Sequence, residues 1–163
     1  MSAGVLSTTL KALGLLTGRG AAKSLVRLCH AGRLVGGLSV SLRATPDELL
    51  GPLTHALGGA ATKLKLLDVR TTTPPVLEVQ WREVHEKWEC DGLEALVHNL
   101  NDLFRDEPDV KVAAVLGDWD DMLQLWCVPK DAARTLLERR VLDDARNAAS
   151  VRRLLEPAER EDW

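Results

Sequence analysis

DVKVAAVLGDWDDMLQLWCVP, residues 109–129, is the stretch whose reading decides the fold. It reads as two apolar strands joined by a short acidic turn, Gly117-Asp118-Trp119-Asp120-Asp121. In the first strand Val110, Val112, Ala114 and Leu116 alternate with Ala113 and Val115. In the second, Leu123, Leu125 and Cys127 oppose Met122, Trp126 and Val128. A strand covered on one side alternates polar with apolar residues, whereas one covered on both sides is apolar throughout. The hairpin is therefore expected at the middle of the core.

Upstream, the period-two pattern Leu38, Val40, Leu42 predicts a half-buried strand from Gly36. Thr45-Pro46-Asp47-Glu48 carries a capping residue, a proline suited to the first helical position and an acid three residues after the cap. It opens a helix whose stripe is Leu49, Leu50, Leu53, Ala56 and Leu57, closed by Gly58-Gly59. Strands are predicted over residues 62–70, with a bulge signalled by the shift from Leu66 to Leu67 and Val69, and over 76–84. A short strand over 86–90 leads to a second helix, read as capped by Asp91 with Glu94 completing the box. Its stripe is Leu93, Leu96, Val97, Leu100, Leu103 and Phe104. An offset of 47 residues lays Leu49 on Leu96, Leu50 on Val97, Leu53 on Leu100 and Leu57 on Phe104. The expectation is an α+β fold: a mostly antiparallel sheet from two strand-helix-strand-strand units, flanked by N-terminal and C-terminal helices.

The chain of 163 residues suits one domain. Residues 1–35 form a basic helical segment, 36–129 the sheet core with both units, 130–157 the C-terminal helices and 158–163 a charged tail. Within the first segment, helices are predicted over 5–16 and 21–31 around the turn Thr17-Gly18-Arg19-Gly20. No apolar run approaches the roughly 18 residues that would span a membrane. Cys29, Cys90 and Cys127 lie far apart in apolar-periodic segments, which points to buried thiols and a reducing, cytoplasmic compartment.

The net charge of −3 conceals an asymmetry. Residues 1–46 hold six basic residues and no acid, whereas 47–129 hold sixteen acids against seven bases. A basic end and an acidic middle can dock on one another within a chain or between copies. The order helix, glycine turn, helix, glycine-bounded strand resembles a helix-turn-helix with a wing. That resemblance implies a nucleic-acid contact through Arg19, Lys23, Arg27 and Arg33. The same acid-free stretch also fits a targeting peptide in composition.

No P-loop, dinucleotide fingerprint, CxxC pair, HExxH or GxSxG motif occurs, and no cofactor or catalytic constellation is implied. Asp118, Asp120 and Asp121 match no recognised cation loop and read first as turn chemistry. Cys29, His30, His85, Cys90 and His98 lack the paired short spacing of zinc sites. Cys90 and Cys127, on apolar strands, have the setting of inert thiols rather than nucleophiles. Trp119, a large apolar ring among acids, has the character of a binding hot spot. The leading expectation is a non-enzymatic protein–protein interaction or regulatory module of adaptor type. It would be self-associating and bind a protein partner through Trp119, Asp118, Asp120 and Asp121, with no membrane partner. The alternative is a nucleic-acid-binding regulator.

Overall fold

In the computed structural model, residues 3–18, 24–142 and 146–156 are described. Two helices come first, α1 (Ala3–Ala12) and α2 (Leu25–His30), followed by β1 (Gly37–Ser41) and α3 (Pro46–Leu57). A 3₁₀ turn (Gly59–Lys63) precedes β2 (Lys65–Arg70), β3 (Val76–Trp81) and β4 (Val84–Glu89). Then come α4 (Leu93–Leu103), β5 (Val112–Trp119), β6 (Met122–Val128), α5 (Lys130–Glu138) and α6 (Ala148–Leu155). The fold is α+β: among the described residues, six α-helices and two three-stranded antiparallel sheets.

The strand order differs from the single sheet expected. One sheet runs β1-β6-β5 and the other β2-β3-β4. The cause is local. Trp81 pairs with Val84, so Arg82 and Glu83 form a tight turn, with Arg82 at φ 53. A two-residue connection can only fold β4 back antiparallel against β3. The hairpin thus crosses the boundary at which the sequence divides into two stretches. β1 pairs instead with β6, from Gly37 opposite Trp126 to Ser41 opposite Met122.

The β5–β6 hairpin is central, as its composition requires. Ala113, Val115, Leu123, Leu125 and Cys127 face one core, shared with the buried stripes of α3 and α4 and with Leu77, Val79, Trp81 and Trp88 of the second sheet. Phe104, at the end of α4, meets Trp81 edge-to-face with ring centroids 5.0 Å apart. Val112, Ala114, Leu116, Trp126 and Val128 face a second core built with residues of α1, α2, α5 and α6. The entry to β1 is fixed by Gly36, whose φ is 84. A Cβ there would fall 2.1 Å from the Cys127 carbonyl oxygen, and the Gly36 carbonyl accepts from the Cys127 N–H at 2.8 Å. Trp126 Nε1 donates to the Val35 carbonyl at 2.9 Å and holds the same segment from the other side.

The N-terminal helices are shorter than predicted. Gly14, at φ 69, breaks the first, and Leu16 forms a β-bridge with Leu34. Of the turn expected at 17–20, Arg19 and Gly20 lie outside the described residues. At α4 the cap is Gly92, without a side-chain hydrogen bond, so Asp91 does not have the capping role read for it. The Thr45 cap and the Pro46 start hold for α3, although the Thr45 side chain makes no cap bond. The tail 158–163 lies outside the described residues.

An edge strand turns the N–H and C=O of alternate residues away from its neighbour, and these need partners when buried. On β5 two asparagines supply them. Asn101 of α4 donates to the Ala113 carbonyl at 2.9 Å and accepts from its N–H at 3.0 Å. Asn147, before α6, accepts from the Val115 N–H at 2.7 Å. Lys130 Nζ similarly donates to the carbonyls of Phe104 (3.1 Å), Glu107 and Val110 (2.9 Å). Burial pulls its ammonium below the usual lysine range, against the nearby carboxylates of Asp109, Glu107 and Asp106.

Two stability predictions result. Asn101→Leu keeps volume but strands a buried N–H and C=O, and should cost roughly 2–4 kcal/mol in urea unfolding. Gly36→Ala combines a left-handed φ with a backbone collision and should cost about 1–3 kcal/mol or more by the same measurement.

Candidate interaction surface at the β5–β6 turn

Asp120 (φ 54) and Asp121 (φ 58) make the two-residue connection, with Trp119 opposite Met122 as the last strand pair. Both left-handed positions fall on aspartates, which tolerate that conformation better than most residues. Trp119 consequently stands at the end of β5 rather than inside the turn. The register shifts between Val115 and Gly117, and Gly117 takes φ 143 at this bulge. A bulge bends its strand and re-aims the residues that follow.

The tip is tied to the chain by charge. Asp118 accepts from Arg146 at 2.6 Å, and the other guanidinium nitrogen of Arg146 pairs with Glu94. Partial burial works against the charged Arg146, but the bonds and charges of Asp118 and Glu94 outweigh it and hold its pKa above the usual arginine value. Asp120 lies 3.7 Å from His30 Nε2 of α2. His30 Nδ1 is 3.4 Å from Gln124 Nε2, and Ser39 donates to Gln124 Oε1. Gln124 is wholly buried on β6, and this string from Ser39 to Asp120 satisfies it. Asp121 is exposed, and its carbonyl accepts from the Leu42 N–H at 3.1 Å.

The basic segment is drawn into the same place. Arg27 of α2 lies over the Trp119 ring, 4.8 Å from its centroid, a cation–π stack. Arg33 Nε donates to the Thr17 carbonyl at 3.1 Å and ties the loop between α1 and α2. Arg19 and Lys23 lie outside the described residues. Of the four basic residues read as a nucleic-acid contact, the structure therefore places Arg27 on the acidic tip and Arg33 in a loop bond. Trp119 keeps 39% of its surface exposed.

Beside the tip lies a cleft of about 360 Å³ lined by Leu42, Asp91, Gly92, Leu93, Glu94, Leu123 and Arg146. It joins apolar walls to two carboxylates and a guanidinium, with no histidine or cysteine among its lining residues. Arg146 has no sequence signal of its own: it stands in a stretch of balanced charge, and Glu94 reads as a capping acid rather than as its partner. Among the described residues no three of His, Cys, Asp and Glu gather where a metal ion could be held, and no helix is long and apolar enough to cross a membrane.

All three thiols are buried. Desolvation raises the pKa of Cys29 and Cys90, and that of Cys127 to about 12. A raised thiol pKa keeps the group protonated, and so unreactive, at neutral pH. No protein-family model matches the chain, and no curated protein or solved structure shows a significant match to it. The native protein at pH 7 should react with a disulfide reagent at well under one thiol per chain, rising to three on unfolding in guanidinium. Rapid native labelling of Cys90 or Cys127 would contradict the burial described.

Proposed function

We propose that the protein is a non-enzymatic interaction or regulatory module, binding a protein partner at the β5–β6 tip and associating with copies of itself. The observation that carries the reading is Trp119. It is a large aromatic stacked by Arg27 and flanked by Asp118, Asp120 and Asp121, with 39% of its surface exposed. Holding a side chain in place before binding lowers the entropy cost of association. The adjoining cleft, with Leu42 at its rim, can accept an apolar partner residue next to the tip.

The same chemistry disfavours an enzyme. In the cleft Glu94 is paired with Arg146, no histidine or cysteine lines it, and the buried thiols are protonated. A nucleic-acid contact through residues 8–33 is the weaker reading, since Arg27 and Arg33 already have partners within the chain. Steeply salt-dependent binding to duplex DNA or RNA would restore it.

A second part of the proposal concerns architecture: one strand-helix-strand-strand unit used twice. Its support is that α4, β4, β5 and β6 follow α3, β1, β2 and β3 at close to the same 47-residue offset. The exchange is also reciprocal, because the first strand of each stretch pairs with the last strand of the other.

Trp119→Ala should reduce partner capture in pull-down or cross-linking with the purified protein roughly thirtyfold, the effect of a hot-spot residue. The melting temperature should change little, because the ring is largely outside the core. Unchanged capture would remove Trp119 from the surface.

A further inference from the structure

Each three-stranded sheet has two edges, and the four edge strands differ in what they expose. Asn101 meets both outward groups of Ala113 on β5, and Asn147 accepts from the Val115 N–H. β4 exposes His85, Glu86, Lys87 and Glu89, the charged covering that discourages pairing. β1 exposes no large apolar side chain. β2 is different. All its residues except Val69 are exposed, and Leu66 and Leu67, adjacent in sequence, show 39% and 47% of their surface.

The geometry points to β2 as the edge at which a second copy of this chain pairs, antiparallel across a twofold axis, to make one six-stranded sheet. The inference rests on the self-association reading above and names its surface. The segment Lys65-Leu66-Leu67-Asp68 is complementary to itself when reversed: Lys65 meets Asp68 of the copy, the charge pair recurs with roles exchanged, and the leucines of both copies lie between the two pairs. Directly opposed residues must share a face, and in a regular strand positions 65 and 68 point to opposite faces. The bulge removes that obstacle. Lys65 stands opposite Gln80 and Asp68 opposite Glu78, and residues 78 and 80 lie on one face of β3. An edge bulge usually hinders pairing; here it permits the charge-matched register. Main-chain bonds would supply affinity and the alternating side chains specificity, as in strand addition generally.

The test is sedimentation velocity on the purified full chain over a wide concentration range. Wild type should dimerise. Lys65→Glu and Asp68→Lys each replace two opposite-charge pairs by like-charge pairs and should weaken the dimer roughly tenfold. An equimolar mixture of the two variants, and the double variant, should recover it, because both restore opposite charges at every pair. Leu67→Lys should prevent dimerisation, while circular dichroism shows each variant folded. If wild type dimerises but the single variants match it, or the mixture does not recover, β2 is not the surface although self-association stands. If wild type stays monomeric throughout, self-association fails with it.

Discussion

Strand β6 is hydrogen-bonded to β1 on one edge and β5 on the other, and it faces a core on each side. Such a strand has no place for water, so every polar group it carries must be met inside the protein. Gln124 is the one polar side chain in its apolar run, and it is answered by Ser39 on β1 and approached by His30 on α2. His30 in turn reaches Asp120 at the tip. The need to satisfy one buried amide thus links the sheet, the basic helix and the acidic turn. The charge asymmetry of the chain is partly spent inside the fold, with α2 docked on the tip.

The sheet edges show the same economy by different means. A side-chain amide offers a donor and an acceptor at the spacing of a peptide group, and Asn101 uses both against Ala113. α4 therefore ends the first sheet without a further strand. β4 relies on charge alone, whereas β2 sets two exposed leucines among its charges. The contrast among edges of similar length gives the β2 leucines their meaning, since scattered surface leucines alone would need no explanation.

The central hairpin was legible because a strand apolar on both faces has few places to go. The stripes of α3 and α4 were legible from their period, and the β2 bulge from the step between Leu66 and Leu67. Strand partners were not, because alternation names the face a residue occupies and says nothing of its neighbour. The turn at Arg82-Glu83 lacks the glycine, asparagine or proline that mark hairpins, so β3 and β4 read as belonging to separate stretches. The apolar run through Leu15 and Leu16 extends the helical pattern past Gly14, although the chain there turns into a bridge with Leu34. At the site, Trp119 and the aspartates could be picked out by residue type. Their counterparts Arg27, His30 and Arg146 could not, since only the fold brings them close.

The pairing of β1 with β6 also sets an order of events as the chain leaves the ribosome. β2, β3 and β4 are neighbours in sequence as well as in space, so the second sheet can close soon after residue 89 emerges. β1 must wait until residue 128 has been made. At ordinary rates of synthesis that wait is on the order of ten seconds. Entropy adds little, because each doubling of a loop costs only about 0.6 kcal/mol. The exposure is in time: a half-apolar strand stands unpaired while its partner is still being translated. Nascent chains crowded on one message would be vulnerable to misassembly during that interval, through β1 rather than through the edges that remain in the finished fold.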